Sequence, residues 1–315
     1  MIWQGATVAI TGGTGSLGRA LTRRLLREDV RAIRVISRDE AKHAAMAAEF
    51  SDARIKYLIG DVRDRDRLDI AFDGVNIVVH AAALKRVEQA ELHPLEFVAT
   101  NVRGTENVLR AARDSRVARV LTISTDKACQ PVTLYGATKM LAERITVAAN
   151  VYSPNGTRYA AVRYGNVTGS RGSLVPLLLE QRKTGRVTIT DDKMTRFWMR
   201  MSEAVDLVIF AVEHMKGGEI YVPRCPSVAI RDVLSAVAPG CEVETIGIRG
   251  QEKLHESLVA PDEARGCEET PDHFILRPGT AWEGAREFSY TSDKNRFLTV
   301  AEIAAQYESA VAEAL

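Results

Sequence analysis

Ser124-Thr125-Asp126-Lys127, followed closely by Tyr135-Gly136-Ala137-Thr138-Lys139, places aliphatic hydroxyls, a carboxylic acid, an amine, a phenol and a second amine within sixteen residues. The Tyr-x-x-x-Lys spacing puts Tyr135 and Lys139 on one helix face, one turn apart. A lysine there lowers a phenol's pKa by charge, which would let tyrosine act as a base near neutral pH. Asp126 and Lys127 offer an acid and a base side by side. Together these groups could take a proton from one hydroxyl, pull a proton off the next carbon, and expel water from a third.

Such groups need elements to hold them. Apolar runs at Thr7–Ile10, Ile33–Ser37, Ile55–Ile59, Ile77–His80, Val120–Ser124 and Tyr159–Arg163 alternate with helical patterns at Ser16–Arg27, Glu40–Phe50, Leu95–Arg113 and Tyr135–Ala149. Near-continuous apolar strands alternating with helices predict an α/β fold, a Rossmann-like doubly wound parallel sheet. The pattern changes after Asn166. Helices at Leu174–Lys183, Ser202–His214, Ile230–Val237 and Thr299–Ala314, with strands at Glu219–Val222 and Glu242–Ile246, suggest a smaller α/β lobe. The division is residues 1–166 for a dinucleotide-binding domain and 167–315 for a substrate-binding lobe interleaved with it.

Thr11, Gly12, Gly13, Thr14, Gly15, Ser16, Leu17 and Gly18 follow the first strand and open the first helix, the context a dinucleotide fingerprint requires. Glycines let the backbone approach a pyrophosphate, and the helix N-terminus faces its charge. The second strand ends in Ser37-Arg38-Asp39-Glu40. Arg38, with Ser37, could clamp a 2′-phosphate, so NADP is favoured over NAD; alternatively Arg38 is a solvated surface residue. Asp61 and Val62 would meet the adenine, or Asp61 caps a helix. Ala81, Ala82 and Ala83 supply small residues where backbone must approach the cofactor. Asn101 reads as a structural tie.

With 42 basic and 41 acidic residues the formal net charge is +1, which favours neither nucleic acid nor an acidic membrane. Apolar residues make up 46%, enough for a large core. Cys129, Cys225, Cys241 and Cys267 show no metal-ligand spacing, so no metal is expected, and they read as free thiols in a reducing compartment. No apolar run approaches the ~20 residues of a membrane span. The N-terminus runs directly into a strand, so the expected location is cytoplasmic.

Thr125, Tyr135 and Lys139 on this scaffold resemble the extended short-chain dehydrogenase/reductases. The resemblance sharpens across HAAALK (80–85), STDKA (124–128), LYGATK (134–139), RYGNV (163–167), GSRGS (169–173), MTRF (194–197) and EKLHE (252–256). These look like the inverting UDP-N-acetylglucosamine 4,6-dehydratases, of the C5-epimerising type that opens pseudaminic acid biosynthesis. Retaining sugar dehydratases carry Asp-Glu where this chain has Asp126-Lys127, and sugar epimerases usually lack the pair.

The resemblance implies a lyase that removes water from UDP-N-acetylglucosamine. Tyr135 and Thr125 would serve the C4 oxygen, while Lys139 would lower the phenol's pKa and hold the nicotinamide ribose. Lys127 would take the C5 proton, which requires it to be partly neutral, and Asp126 would protonate the departing C6 hydroxyl. Lys85, Asn166, Arg171, Arg196, Arg249 and Glu256 are the candidates for the UDP-sugar, or else members of structural ion pairs; arginine forks suit a pyrophosphate. A homo-oligomer, a hexamer in the family's manner, is also implied by the resemblance. A nucleotide-sugar 4-epimerase or reductase, needing Tyr135 and Lys139 alone, is the alternative reading. A nonenzymatic NADP sensor is a further one.

Overall fold

The computed structural model describes residues 2–170, 174–248, 250–279 and 287–314, with side chains described as far as residue 308. Six parallel strands form its centre: β1 (Thr7–Thr11), β2 (Ala32–Ser37), β3 (Ile55–Ile59), β4 (Ile77–His80), β5 (Arg119–Ile123) and β6 (Arg158–Val162). They lie in the order β3-β2-β1-β4-β5-β6, the doubly wound arrangement expected. The chain crosses from one side of β1 to the other after β3, and a ligand crevice opens at the carboxyl ends of strands at such a switch point.

These strands read as unbroken apolar runs because both faces are covered. Val8 and Ile10 of β1 join Leu21 and Leu25 of the helix Ser16–Leu25 in one core layer. Ala9, between them, packs on the opposite face with Leu68, Val108 and Ala112. In β4, Ile77 and Val79 face the first layer and Val78 the second. The strict alternation of side chains about a pleated strand produces this division.

Beyond β6 the strands have five residues or fewer: β7 (Asn166–Val167), β8 (Arg186–Ile189), β9 (Thr195–Met199), β10 (Ile220–Pro223), β11 (Ser227–Ala229), β12 (Glu242–Thr245), β13 (Ser257–Val259), β14 (Cys267–Glu269), β15 (His273–Leu276) and β16 (Tyr290–Thr291). The main sheet continues through β10, parallel to β6, and then through antiparallel β15 and β14. Three small sheets, β7-β9-β11, β8-β12 and β13-β16, stand beside it. The first carries Asn166 and Arg196, and the segment just before β13 carries Glu256.

The expected single helix over Leu95–Arg113 is in three parts. A short α-helical turn (Pro94–Phe97) leads into a π-helical stretch (Val98–Arg103) and then an α-helix (Gly104–Asp114). The wider π turn serves Asn101. Its side-chain amide pairs with both backbone groups of Leu84, at 2.8 and 3.0 Å, and donates to the Thr138 hydroxyl at 3.0 Å. Asn101 thereby ties the loop after β4 to the helix that carries Tyr135 and Lys139. Hydrophobic spacing reports which face is buried, and it cannot register one polar contact that changes the helical pitch.

Candidate active site

A cleft of about 530 Å³ runs along the carboxyl ends of β1, β2, β4 and β5. At its floor Gly12 has φ +67°, and a Cβ there would lie 2.8 Å from the backbone of Ala82. Only glycine permits both the turn and this approach. The helix Ser16–Leu25 begins after Gly15 with no side-chain cap, so its first N–H groups face the cleft with the positive end of the helix dipole. Gly12, Thr14, Gly15, Ser16, Leu17, Gly18, Ser37, Arg38, Asp61, Val62, Ala81, Ala82 and Ala83 all line the cleft. Thr11 does not. It is fully buried, its hydroxyl pairs with His80 Nδ1 at 2.7 Å, and it accepts the Ala82 N–H at 3.4 Å. It shapes the wall from behind.

At the end of the cleft beside β2 and β3, carboxylates are occupied by other work. Asp39 caps the helix Glu40–Glu49 through the Lys42 N–H and pairs with the Lys42 ammonium at 2.6 Å. Asp61 accepts two hydrogen bonds from Arg63, at 2.9 and 2.7 Å, and lies 3.5 Å from Arg38. Arg38 itself is half exposed at the rim.

The chemical groups sit deeper. After β5 the chain makes a single 3₁₀ turn, Asp126–Ala128, capped by the Thr125 hydroxyl. The helix Leu134–Ala148 then packs directly on that turn, because residue 136 is glycine: a Cβ there would fall 2.3 Å from the Lys127 carbonyl oxygen. Thr125, Asp126, Lys127, Tyr135 and Lys139 therefore share one wall of the cleft. Thr125 Oγ1 donates to Asp126 Oδ1 at 3.0 Å. Lys127 Nζ lies 3.1 Å from Asp126 Oδ1 and 3.0 Å from Glu256 Oε1. Asp126 and Glu256 are 1% and 3% exposed, so this is a buried carboxylate–ammonium–carboxylate cluster.

Burial pushes the Tyr135 phenol up to about 12, against the pull of the Lys127 charge and the Thr125 hydrogen bond. The cation acting on the phenol in this geometry is Lys127, and not Lys139 as helical spacing predicts. Lys139 instead donates to the Ile123 carbonyl at 2.6 Å, and burial lowers its ammonium to about 8, with Glu143 opposing. A second expectation is also corrected. A partly neutral Lys127 requires a lowered pKa, but its pKa is raised: burial disfavours the ammonium, and Asp126 and Glu256 more than offset that cost. Asp126 moves up, through burial chiefly and Glu256 in addition, while Lys127 opposes. Glu256 moves down because Lys127, Arg196 and Lys253 outweigh its burial.

Residues 8–278 match the profile of the family described as "Polysaccharide biosynthesis protein". The chain belongs to that family. Among its relatives, the UDP-N-acetylglucosamine 4,6-dehydratase (inverting) of Campylobacter jejuni subsp. jejuni serotype O:23/36 is 40% identical, across 93% of this chain and 94% of the relative. A UDP-glucose 4-epimerase of Rickettsia rickettsii is 42% identical, across 86% and 82%. The X-ray structure of Pen from Bacillus thuringiensis superposes with a TM-score of 0.94 at 35% identity, over 99% of both chains.

A second cleft adjoins the first, sharing Arg38, Lys42, Ala83, Lys85, Lys127 and Asn166 with it. Arg196 and Glu256 line the second cleft. Arg196 is anchored by hydrogen bonds to the Thr195 and Leu254 carbonyls, at 2.7 and 3.0 Å. Arg171 and Arg249 lie outside the described residues.

Sequence reasoning assigned no role to several wall residues: Thr100, Tyr164 and Gly165, and named Ser124 only for its hydroxyl. The hydroxyls of Thr100 and Ser124 are buried without a hydrogen-bond partner, and so is Asp126 Oδ2. It also passed over Lys253, which donates to the Cys129 carbonyl at 2.7 Å and lies 3.8 Å from Glu256 Oε2. Its signal was its place in the EKLHE motif, one helical turn's spacing before Glu256. Arg163 forms a further buried junction, pairing with Glu143 of the Tyr135 helix at 2.6 Å and with Glu263 at 2.7 Å. It thus fixes that helix to the later part of the chain. Among the described residues no group of His, Cys, Asp and Glu could hold a metal, and no helix is long and apolar enough to cross a membrane.

Proposed function

We propose that this protein removes water from UDP-N-acetylglucosamine with inversion at C5, using a tightly held NADP. The observation that carries this reading is the buried Asp126–Lys127–Glu256 cluster beside Tyr135. Oxidation and reduction at C4 need a tyrosine and a lysine. A buried acid beside a second amine has use only if a proton is also moved at C5 and a hydroxyl expelled from C6.

The cleft suits a dinucleotide: an uncapped helix end for the pyrophosphate, a Gly12 floor that a Cβ would fill, and two unpartnered hydroxyls in the wall. Arg38 and Lys42 at the rim favour NADP, since Asp39 and Asp61, the carboxylates that would repel a 2′-phosphate, are engaged by Lys42 and Arg63. The cofactor supplies a hydride acceptor for C4 and later a hydride donor for C6. Tyr135 takes the C4 hydroxyl proton as its phenolate, the minority form given its raised pKa, with Thr125 holding that oxygen. The resulting ketone acidifies the C5 hydrogen, because the carbanion is an enolate. Asp126, held towards its protonated form, gives its proton to the C6 hydroxyl as it leaves as water. Lys127 handles the C5 proton.

The test is to incubate the purified protein with UDP-N-acetylglucosamine in deuterated water and follow mass and NMR spectra. Loss of one water, with deuterium entering and configuration inverting at C5, is expected. A new stereoisomer of unchanged mass would replace this reading with the 4-epimerase.

A further inference from the structure

Lys127 Nζ lies between two buried carboxyl groups, the acid Asp126 and the carboxylate Glu256, and as an ammonium it cannot take a proton from C5. Something must first remove one of its own. Asp126 is poorly placed for that, since its proton is committed to the C6 hydroxyl. Glu256 is the other neighbour, with Oε1 3.0 Å from Lys127 Nζ. Its Oε2 is buried, makes no hydrogen bond, and lies 3.8 Å from Lys253 Nζ. The backbone around Glu256 is rigidly held: its N–H donates to Ser292 Oγ at 2.9 Å, and its carbonyl accepts the Ser292 N–H at 2.9 Å. Thr195 Oγ1 in turn pairs with Ser292 Oγ at 2.7 Å. The groups that face the Glu256 carboxylate are thus Lys127, Lys253 and Arg196, with Asp126 across the lysine.

We propose, building on the dehydratase reading, that Glu256 is a positioning residue for Lys127, holding its ammonium at rest and accepting one of its protons as C5 is deprotonated. In that transfer an N–H bond of Lys127 breaks and an O–H bond forms on Glu256 Oε1, so the net charge of the pair is unchanged. The neutral amine then takes the C5 hydrogen as a proton, and the C–H electron pair passes into the enolate. The pair now carries one extra proton, which leaves to solvent, and inversion requires that the proton C5 regains arrive on its opposite face. Lys253 and Arg196 keep Glu256 ionised in the resting state, so the relay starts from one defined charge arrangement.

Two measurements on the full-length protein test this. In the first, the Lys127 side chain is titrated by heteronuclear NMR without substrate, its signal assigned by its loss in Lys127→Arg. Glu256→Gln should lower the Lys127 pKa by about one unit or more. An unmoved titration would overturn the proposal, whatever the substrate is. In the second, Glu256→Gln is mixed with cofactor and UDP-N-acetylglucosamine. C4 oxidation, followed by absorbance of the reduced nicotinamide, should persist while hydrogen exchange at C5 falls by about 10²-fold. Unchanged exchange, or equal loss of both steps in a folded variant, also overturns it. If Glu256→Gln does not fold, Glu256→Asp takes its place. It keeps the charge at a longer reach, so it should slow C5 exchange and spare C4 oxidation; equal effects on both would count against the relay. If the wild type neither exchanges C5 nor loses water, the dehydratase reading fails, while the titration still decides the hold of Glu256 on Lys127.

Discussion

Replacing Gly136 with alanine sets two effects of opposite sign against each other. In an ordinary helix the change stabilises by about 1 kcal/mol, since glycine loses more backbone freedom on folding. Here the added Cβ would lie 2.3 Å from the Lys127 carbonyl oxygen and 3.1 Å from Pro131 Cβ. Carbon and carbonyl oxygen approach to about 3.3 Å at closest, so the helix and the Asp126–Ala128 turn must part by about 1 Å. Neither side yields easily. The helix is pinned by the buried Arg163–Glu143 pair, and the turn by the Asp126 N–H donating to the Tyr164 carbonyl at 3.0 Å. Overpacking of this kind costs about 1–3 kcal/mol, which outweighs the propensity gain and leaves a net loss of about 1 kcal/mol. The kinetic effect is larger. A displacement of about 1 Å between Tyr135 and the Asp126–Lys127 pair separates the redox groups from the elimination groups, and misplacement on that scale costs about 10²-fold in rate. Urea unfolding measures the first quantity and water loss from UDP-N-acetylglucosamine the second. A Gly136→Ala variant as stable and as active as the wild type would refute the argument that this glycine sets the spacing of the site.

Arg38→Ala should raise the KM for NADP by about tenfold or more, the value of one charged hydrogen bond to a phosphate, and change that for NAD little. Equal effects on both cofactors, in steady-state or binding assays, would remove Arg38 from the 2′-phosphate site. Lys139→Met should stabilise the ligand-free protein at neutral pH. The Lys139 pKa is about 8 when folded against 10.5 ordinarily; between those values the unfolded chain binds more protons, so stability rises with pH there, and the full burial cost is carried below about 8. The variant should therefore lead by roughly 2–4 kcal/mol near neutral pH, less the lost bond to Ile123. Its lead should shrink as pH climbs towards 10.5, as checked by urea unfolding at two pH values. A lead that does not change with pH would mean that Lys139 is not held towards its neutral form.

The cofactor side was legible because its determinants are contiguous. A strand, a glycine turn and a helix start follow one another from Thr7 to Leu25, and each acts through backbone it directly adjoins. The same holds for the capped turn Thr125–Ala128 and the helix that follows it. The π turn at Asn101 was not legible, since its cause is a contact with Leu84 and Thr138 that exists only once three elements are packed. The charge state of Lys127 failed for the same physical reason in sharper form. Spacing along one helix measures the distance from Tyr135 to Lys139 and suggests that this lysine tunes the phenol. Protonation, however, sums over every neighbour in space. Lys127 is the cation whose charge lowers the phenol, and Asp126 first, then Glu256, brought in just ahead of β13 by a distant stretch of chain, raise Lys127 where burial alone would lower it. A sequence motif can therefore name the acid and the amine and still leave open which of them holds the proton, because that depends on burial and on a second carboxylate, Glu256, as well as on the two residues themselves.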